Sequence, residues 1–230
     1  MAIFGISDLH LSFGVDKPMN IFGKVWQDYE LKLESNWKNQ VKEDDIVIIA
    51  GDISWGIDFK EAKPDFEFIS NLPGKKIILK GNHDYYFSTK TKVENFFKDN
   101  NYDILVLHNN AIDIGKYILC GTRGWGVTDG TKIQDKKIID REEQRLILSL
   151  NQAKDLQKLE GNEAKEILVA MHFPPFSFKF KQILEENQVK KCIYGHLHGF
   201  GHSQVREGKI DGVEYHMVGC DYTKFKLIEL

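Results

Sequence analysis

The chain is poor in arginine. Of its 31 basic residues only Arg123, Arg141, Arg145 and Arg206 are arginines, and the net charge is −3 over 230 residues. There is thus no global basic field to gather nucleic acid or an anionic membrane. Cysteine is sparse as well: Cys120, Cys192 and Cys220, an odd number with no C-x-x-C pattern. Each lies in an apolar run ("YILCG", "KKCIY", "VGC"), which predicts buried free thiols in a reducing compartment. No apolar run approaches the ~20 residues of a membrane span. The opening "MAIFGISDLH" has neither a basic flank nor a long apolar stretch, and reads as a core strand rather than a secretory leader. Internal repeats, low-complexity tracts and Pro/Gly/Ser-rich linkers are missing too. The expectation is one domain over 1–230, cytoplasmic and without membrane association.

What is present is the material of a globular core, 42% hydrophobic and 28% charged. Short apolar runs predict buried strands at Ala2–Ser7, Ile46–Ala50, Lys76–Lys80, Ile104–Leu107, Tyr117–Gly121, Ile167–Met171 and Lys191–Tyr194. Two more are expected late, at Val213–Val218 and Lys224–Glu229. Apolar residues at helical spacing (Trp26, Tyr29, Leu33, Trp37, Val41; then Phe59, Ala62, Phe66, Ile69) predict helices between the early strands. A long helix is expected over 138–159, closed by Gly161. The order β-α-β-α-β, followed by more strands and one helix, predicts an α/β protein with parallel pairs early and antiparallel pairs late.

The polar residues that matter follow the strands. After the first comes Asp8-Leu9-His10, after the second Gly51-Asp52, and after the third Gly81-Asn82-His83-Asp84. His172 follows the strand ending at Met171, and Gly195-His196-Leu197-His198 follows the one ending at Tyr194. Ligands of open α/β sheets bind at the carboxyl edge, so these loops should converge on one crevice. The donors are carboxylates, an amide and imidazoles, without Cys. That set suits borderline dications such as Mn, Fe, Co, Ni or Zn and not a thiolate zinc site. There are too many donors for one tetrahedral ion. They fit two ions about 3.5–4 Å apart sharing a carboxylate, the arrangement that hydrolyses phosphate esters.

The ordered series D-x-H, G-D, G-N-H-D, H and G-H-x-H, running from Asp8 to His198, resembles the calcineurin-like metallophosphoesterase superfamily. The resemblance implies a four-layer α/β/β/α sandwich of two mixed sheets flanked by helices. It implies that Asp8, His10 and His198 hold a first metal, that Asn82, His172 and His196 hold a second, and that Asp52 bridges them. His83 takes the place of the histidine that contacts the phosphate and protonates the leaving group. The expected cofactors are two divalent ions, with Mn the first choice. The expected reaction is direct hydrolysis of a phosphomonoester or phosphodiester of a small molecule, by attack of a hydroxide shared between the metals.

One departure narrows this. Protein phosphatases of the superfamily continue G-D-x-x-D-R-G, whereas here Trp55 and Gly56 stand where the second Asp and the Arg would be. That weighs against a protein substrate and leaves the orienting partner of His83 open, with Asp84 a candidate. Arg123, in the loop "GTRGWG", is the substitute phosphate clamp, or else a solvated turn residue. His108, His202 and His216 fall outside the motifs and are expected to be structural. The aromatics flanking the motifs (Trp55, Tyr85, Tyr86, Trp125, Phe173, Phe176, Phe200) either wall a substrate cleft or pack behind the donor loops. The segment 11–20 is a candidate lid by position. Two other readings compete: a nuclease, disfavoured by the charge balance, and a metal-free scaffold, disfavoured by the complete donor set.

Overall fold

The computed structural model describes residues 1–126 and 133–230. Two sheets form its centre. The first runs β11-β1-β2-β3-β4, built from β1 (Ile3–Ile6), β2 (Ile46–Ile49), β3 (Lys75–Leu79), β4 (Ile104–Leu107) and β11 (Ile228–Glu229). The second runs β5-β6-β7-β8-β10-β9, with β5 (Ala111–Asp113), β6 (Tyr117–Thr122), β7 (Glu166–Met171), β8 (Lys191–Tyr194), β9 (Gly208–Ile210) and β10 (Val213–Met217). The central strands β1, β2, β7 and β8 are apolar on both faces, as strands covered on both sides must be.

Three apolar clusters define four layers. Ile3, Ile48 and Ile77 of the first sheet interleave with Leu119, Leu168 and Ile193 of the second. The other face of the first sheet packs beneath α1 (Tyr29–Gln40), α2 (Phe59–Ser70) and α3 (Lys90–Asp99), through residues such as Leu33, Phe66 and Phe97. The second sheet packs beneath α4 (Ile133–Gln157) and α5 (Phe178–Glu186), through Leu146, Leu150 and Phe180. This is the α/β/β/α sandwich of mixed sheets expected above. The three cysteines are buried and unpaired.

The late strands differ from expectation. β6, β7, β8 and β10 pair in parallel, and antiparallel pairing is confined to the edge strands β5, β9 and β11. The reason lies in the connections: α4 carries the chain from β6 to β7, α5 from β7 to β8, and the 3₁₀ turn Gly199–Gln204 with β9 from β8 to β10. α5 is short and lysine-rich, is capped by Ser177, and returns the chain from β7 to β8 on the same side. The expected strand over Lys224–Glu229 shrinks to β11, because Lys224 and Phe225 take left-handed backbone angles (φ 57° and 60°) and turn the chain first. The helix expected from Trp26 begins at Tyr29, with Trp26 in a preceding 3₁₀ turn. α4 ends at Gln157, and Gly161 sits in the turn beyond it. Because β10 lies parallel to β8, its carboxyl end reaches the same edge as the ends of β1, β2, β3, β7 and β8.

Candidate metal centre

At that edge the donors fall into two groups. Asp8, His10 and His198 bring ligand atoms within 4.8 Å of one another, and so do Asp52, His172 and His196. In the first group His198 Nε2 is 3.2 Å from Asp8 Oδ1 and 3.3 Å from His10 Nε2. In the second, His172 Nε2 is 3.3 Å from Asp52 Oδ2 and 2.8 Å from Asn82 Oδ1. Asp52 Oδ2 is also 3.9 Å from His10 Nε2, so this carboxylate stands between the groups. All seven residues singled out as donors in the sequence therefore meet in one place.

The backbone is bent to bring them there. Asp8, His10, Asp52 and His196 take φ between 47° and 72°, a region costly for residues with a side chain. Two glycines allow the close approach. A Cβ on Gly81 would collide with the Asp52 carboxylate, and one on Gly195 with Ser7 Oγ and the Asp8 carboxylate. Asp84, wholly buried, clamps two of the loops by accepting hydrogen bonds from the amides of Gly81 (2.6 Å), Asp52 (3.0 Å) and Ile53 (2.8 Å). It does not orient His83, whose Nδ1 is buried with no hydrogen-bond partner among the described residues. The His83 ring is instead set by packing, 4.6 Å from the ring of Trp55. The residue replacing the phosphatase Asp thus positions the histidine by contact rather than by a hydrogen bond.

The charges fit a cation site. Asp8 and Asp52 are buried, and among the described residues the groups within ion-pair distance of them are imidazoles. Burial pushes both carboxyls up, but the facing histidines outweigh it, holding Asp52 at about 2 and Asp8 well below the carboxylate range. Burial lowers His10 and His196 to about 4. Against the same burial, the neighbouring carboxylates raise His172 to about 9 and His198 to about 10. Two buried carboxylates balanced only by protons on imidazoles are the electrostatic problem that bound dications solve.

A residue that sequence reasoning passed over completes the site. Asp221 is buried, with one oxygen 3.0 Å from His198 Nδ1 and the other 3.2 Å from His202 Nε2. A carboxylate behind a metal-ligating histidine fixes its tautomer and raises its basicity. Arg123 lies off the centre. Its guanidinium is 3.7 Å from the fully buried Glu142 and stacks over Trp125. Its carbonyl accepts from the amides of His172 and Phe173. Of the flanking aromatics, Trp55 stacks on His10 (4.9 Å) and Phe173 lies tilted against His196 (4.0 Å). Tyr86 and Phe176 pack into the cores, while Phe200 is fully exposed. Segment 11–20 is fastened at several points: Phe13 N donates to Asp65, and Lys17 and Met19 contact Trp55. Two clefts flank the centre, one of about 770 Å³ against His10, His83 and His198, the other of about 850 Å³ against His196 and Phe173.

Fold and site together define an α/β/β/α protein carrying two candidate metal-ligand groups at the carboxyl edge of its sheets. The family model of the calcineurin-like phosphoesterases matches residues 1–200, and the chain belongs to that family. A protein of Methanocaldococcus jannaschii described as uncharacterized is 31% identical over 108 residues, 46% of this chain and 58% of that relative. The chain thus covers less than two-thirds of that relative's length. Among solved structures, TT1561 of Thermus thermophilus superposes with a TM-score of 0.59 at 11% identity, covering 99% of this chain and 97% of the other. The phosphopantetheinyl hydrolase of Mycobacterium tuberculosis does so with a TM-score of 0.57 at 13% identity, covering 100% and 95%. At such identities the likeness speaks for the fold alone. Among the described residues no helix is long and apolar enough to cross a membrane.

Proposed function

We propose that the protein is a dinuclear-metal hydrolase of phosphomonoesters or phosphodiesters of a small molecule. The observation that carries this is Asp52 standing between two complete donor groups, 3.9 Å from His10 Nε2 and 3.3 Å from His172 Nε2. Asp8, His10 and His198 would hold one dication, Asn82, His172 and His196 the other, and Asp52 both. Mn is the first choice among Mn, Fe, Co, Ni and Zn. When bound, the pair supplies water activation at neutral pH and neutralisation of phosphoryl charge.

The chain's own residues do the rest. His83 lies beside His10, with ring centres 5.7 Å apart, so a phosphoryl group at the donor groups is within its reach. With Nδ1 buried, Nε2 is the atom left to pass a proton to the departing oxygen. Burial holds His83 below its ordinary value, and an incoming phosphate anion works the other way. Trp55 keeps that ring from rotating away. Arg123, one residue outside β6 and beside Glu142, is the arginine that the sequence offers to contact a phosphate oxygen. The family match and the name of the mycobacterial neighbour support a hydrolase.

The test is a panel of bis-p-nitrophenyl phosphate, p-nitrophenyl phosphate and single-stranded DNA, assayed without metal and with each of Mn, Fe, Co, Ni and Zn, alongside elemental analysis. Turnover of a small ester, with isotope from heavy-oxygen water found in the phosphate product, is expected. Preference for DNA would establish a nuclease. No turnover with any of the five metals would leave a scaffold.

A further inference from the structure

The cleft against the first donor group is unlike the rest of the surface. At one end lie His10, His83, His198, His202 and Asp221, and the remainder is Met19, Phe22, Val25, Trp26, Trp55 and Phe200. Its volume, about 770 Å³, is that of a ligand site. Trp26 and Trp55 are already engaged, the former by Tyr29 and Phe225 and the latter by His10 and Lys17. The open apolar surface therefore comes from Phe22, Val25 and Phe200, which are 59%, 37% and 101% exposed. None of these three is in a core cluster, although they converge from two separate segments of the chain on one depression. Folding gains nothing from a phenyl ring left wholly in water, and a grouped apolar patch beside a polar end marks a binding surface.

We infer that this cleft holds the leaving group of the substrate, and that the leaving group is an apolar alcohol larger than a single methyl or ethyl group. The inference rests on the hydrolase reading above, because it takes the phosphoryl group to lie over the donor groups. The argument is one of direction. A general acid must touch the oxygen that departs, and His83 lines this cleft and not the one on the His196 side. Whatever hangs from that oxygen enters the space beyond His83, which is apolar. Hydrolysis then breaks the P–O bond to the alcohol, water supplies the new oxygen on phosphorus, and the proton from His83 completes the alcohol. The substrate is accordingly amphiphilic, with a phosphate at the polar end and an alkyl or aryl body against Phe22, Val25 and Phe200.

The experiment has two arms. In the first, metal-free protein is titrated with butan-1-ol, hexan-1-ol and octan-1-ol while Trp fluorescence is followed, since Trp26 and Trp55 line the cleft. The dissociation constant should tighten by about fourfold per methylene, the factor for burying one such group. In the Phe22→Ser/Phe200→Ser double variant, altered only at exposed positions, that slope should fall to less than half. Benzyl alcohol set against hexan-1-ol tells a ring from a chain. In the second arm, kcat/KM for methyl, butyl, hexyl and octyl phosphate with Mn should climb with the same slope and flatten in the same variant. Turnover with a flat series, or an equal slope in the variant, overturns the cleft and leaves the hydrolase standing. Alkanol binding without turnover of any phosphoester overturns the hydrolase reading and, with it, the leaving-group role.

Discussion

The two donor groups each pair a histidine after an early or middle strand with one from the loop 195–198, and His172 in one and His198 in the other are held in opposite ways. In the second group His172 is fully buried, and its Nδ1 donates to the carbonyl of Ala50, at the end of β2, over 3.0 Å. That partner is neutral and belongs to the backbone between the sheets. In the first group the side chain of His198 is 32% exposed, and its Nδ1 faces the carboxylate of Asp221. That partner is a charge carried on a single side chain. Either contact leaves Nε2 free for a metal, but only the second can be removed without disturbing the fold. Each group thus has two buried members and one half-buried histidine beside a cleft, and the contrast lies in what holds His172 and His198: the backbone of the sandwich for one, a single carboxylate for the other.

The largest effect should come from the residue that belongs to both groups. Asp52 stands between His10 and His172, and its other oxygen accepts from the amide of His83. Asp52→Ala should lower turnover by more than the ~10²–10³-fold typical of losing one electrostatic contact, and should leave fewer than one ion per chain after dialysis. A variant that kept two ions would mean that the groups are independent, and would break the comparison at its root.

Asp221→Asn should sharpen it. The amide keeps the shape and removes the charge behind His198. The loss expected is about 10–100-fold in metal affinity or activity, the usual effect of such a partner. Elemental analysis should find it confined to one of two ions, and excess metal should restore turnover. Equal weakening of both ions would mean that the centre responds as a unit and that the difference in support has no consequence.

Why Asp221 escaped the reading of the sequence is instructive, because the rule that found the other donors applies to it. Asp8, Asp52, Asn82, His172 and the pair His196/His198 were legible because each closely follows an apolar strand. Asp221 likewise follows β10, four residues past its end. In the sequence Asp221 falls in "GCD", which reads as a turn signal between two late strands, and late strands are expected in antiparallel pairs, whose ends alternate between the edges of the sheet. The parallel pairing of β10 with β8 is made through the 3₁₀ turn Gly199–Gln204 and the short strand β9, a connection without the crossover helix that usually announces a parallel pair. The strand and helix order agrees with the four layers, but it was the family resemblance that implied them. The role of Asp84 was not legible, since a carboxylate that accepts backbone amides from distant loops has no signature in its own neighbourhood of the chain. Nor was the apolar cleft, whose open surface joins residues 22, 25 and 200 from separate segments.

The smallest effect is expected at His202, and it probes the same support from its outer side. Its Nε2 is 3.2 Å from Asp221 but makes no hydrogen bond, and the side chain is 29% exposed. A contact of that kind is worth little in a partly solvated setting. His202→Ala should therefore change kcat/KM by no more than about twofold, the range of ordinary surface substitutions, and leave both ions bound. If His202 instead holds Asp221 in place, its removal should reproduce the Asp221→Asn pattern, with one ion weakened and recovery on adding metal. Measuring both variants at one metal concentration decides between these outcomes. It also decides whether the first donor group is supported by one carboxylate, or by a chain of side chains reaching from the metal to the rim of the cleft.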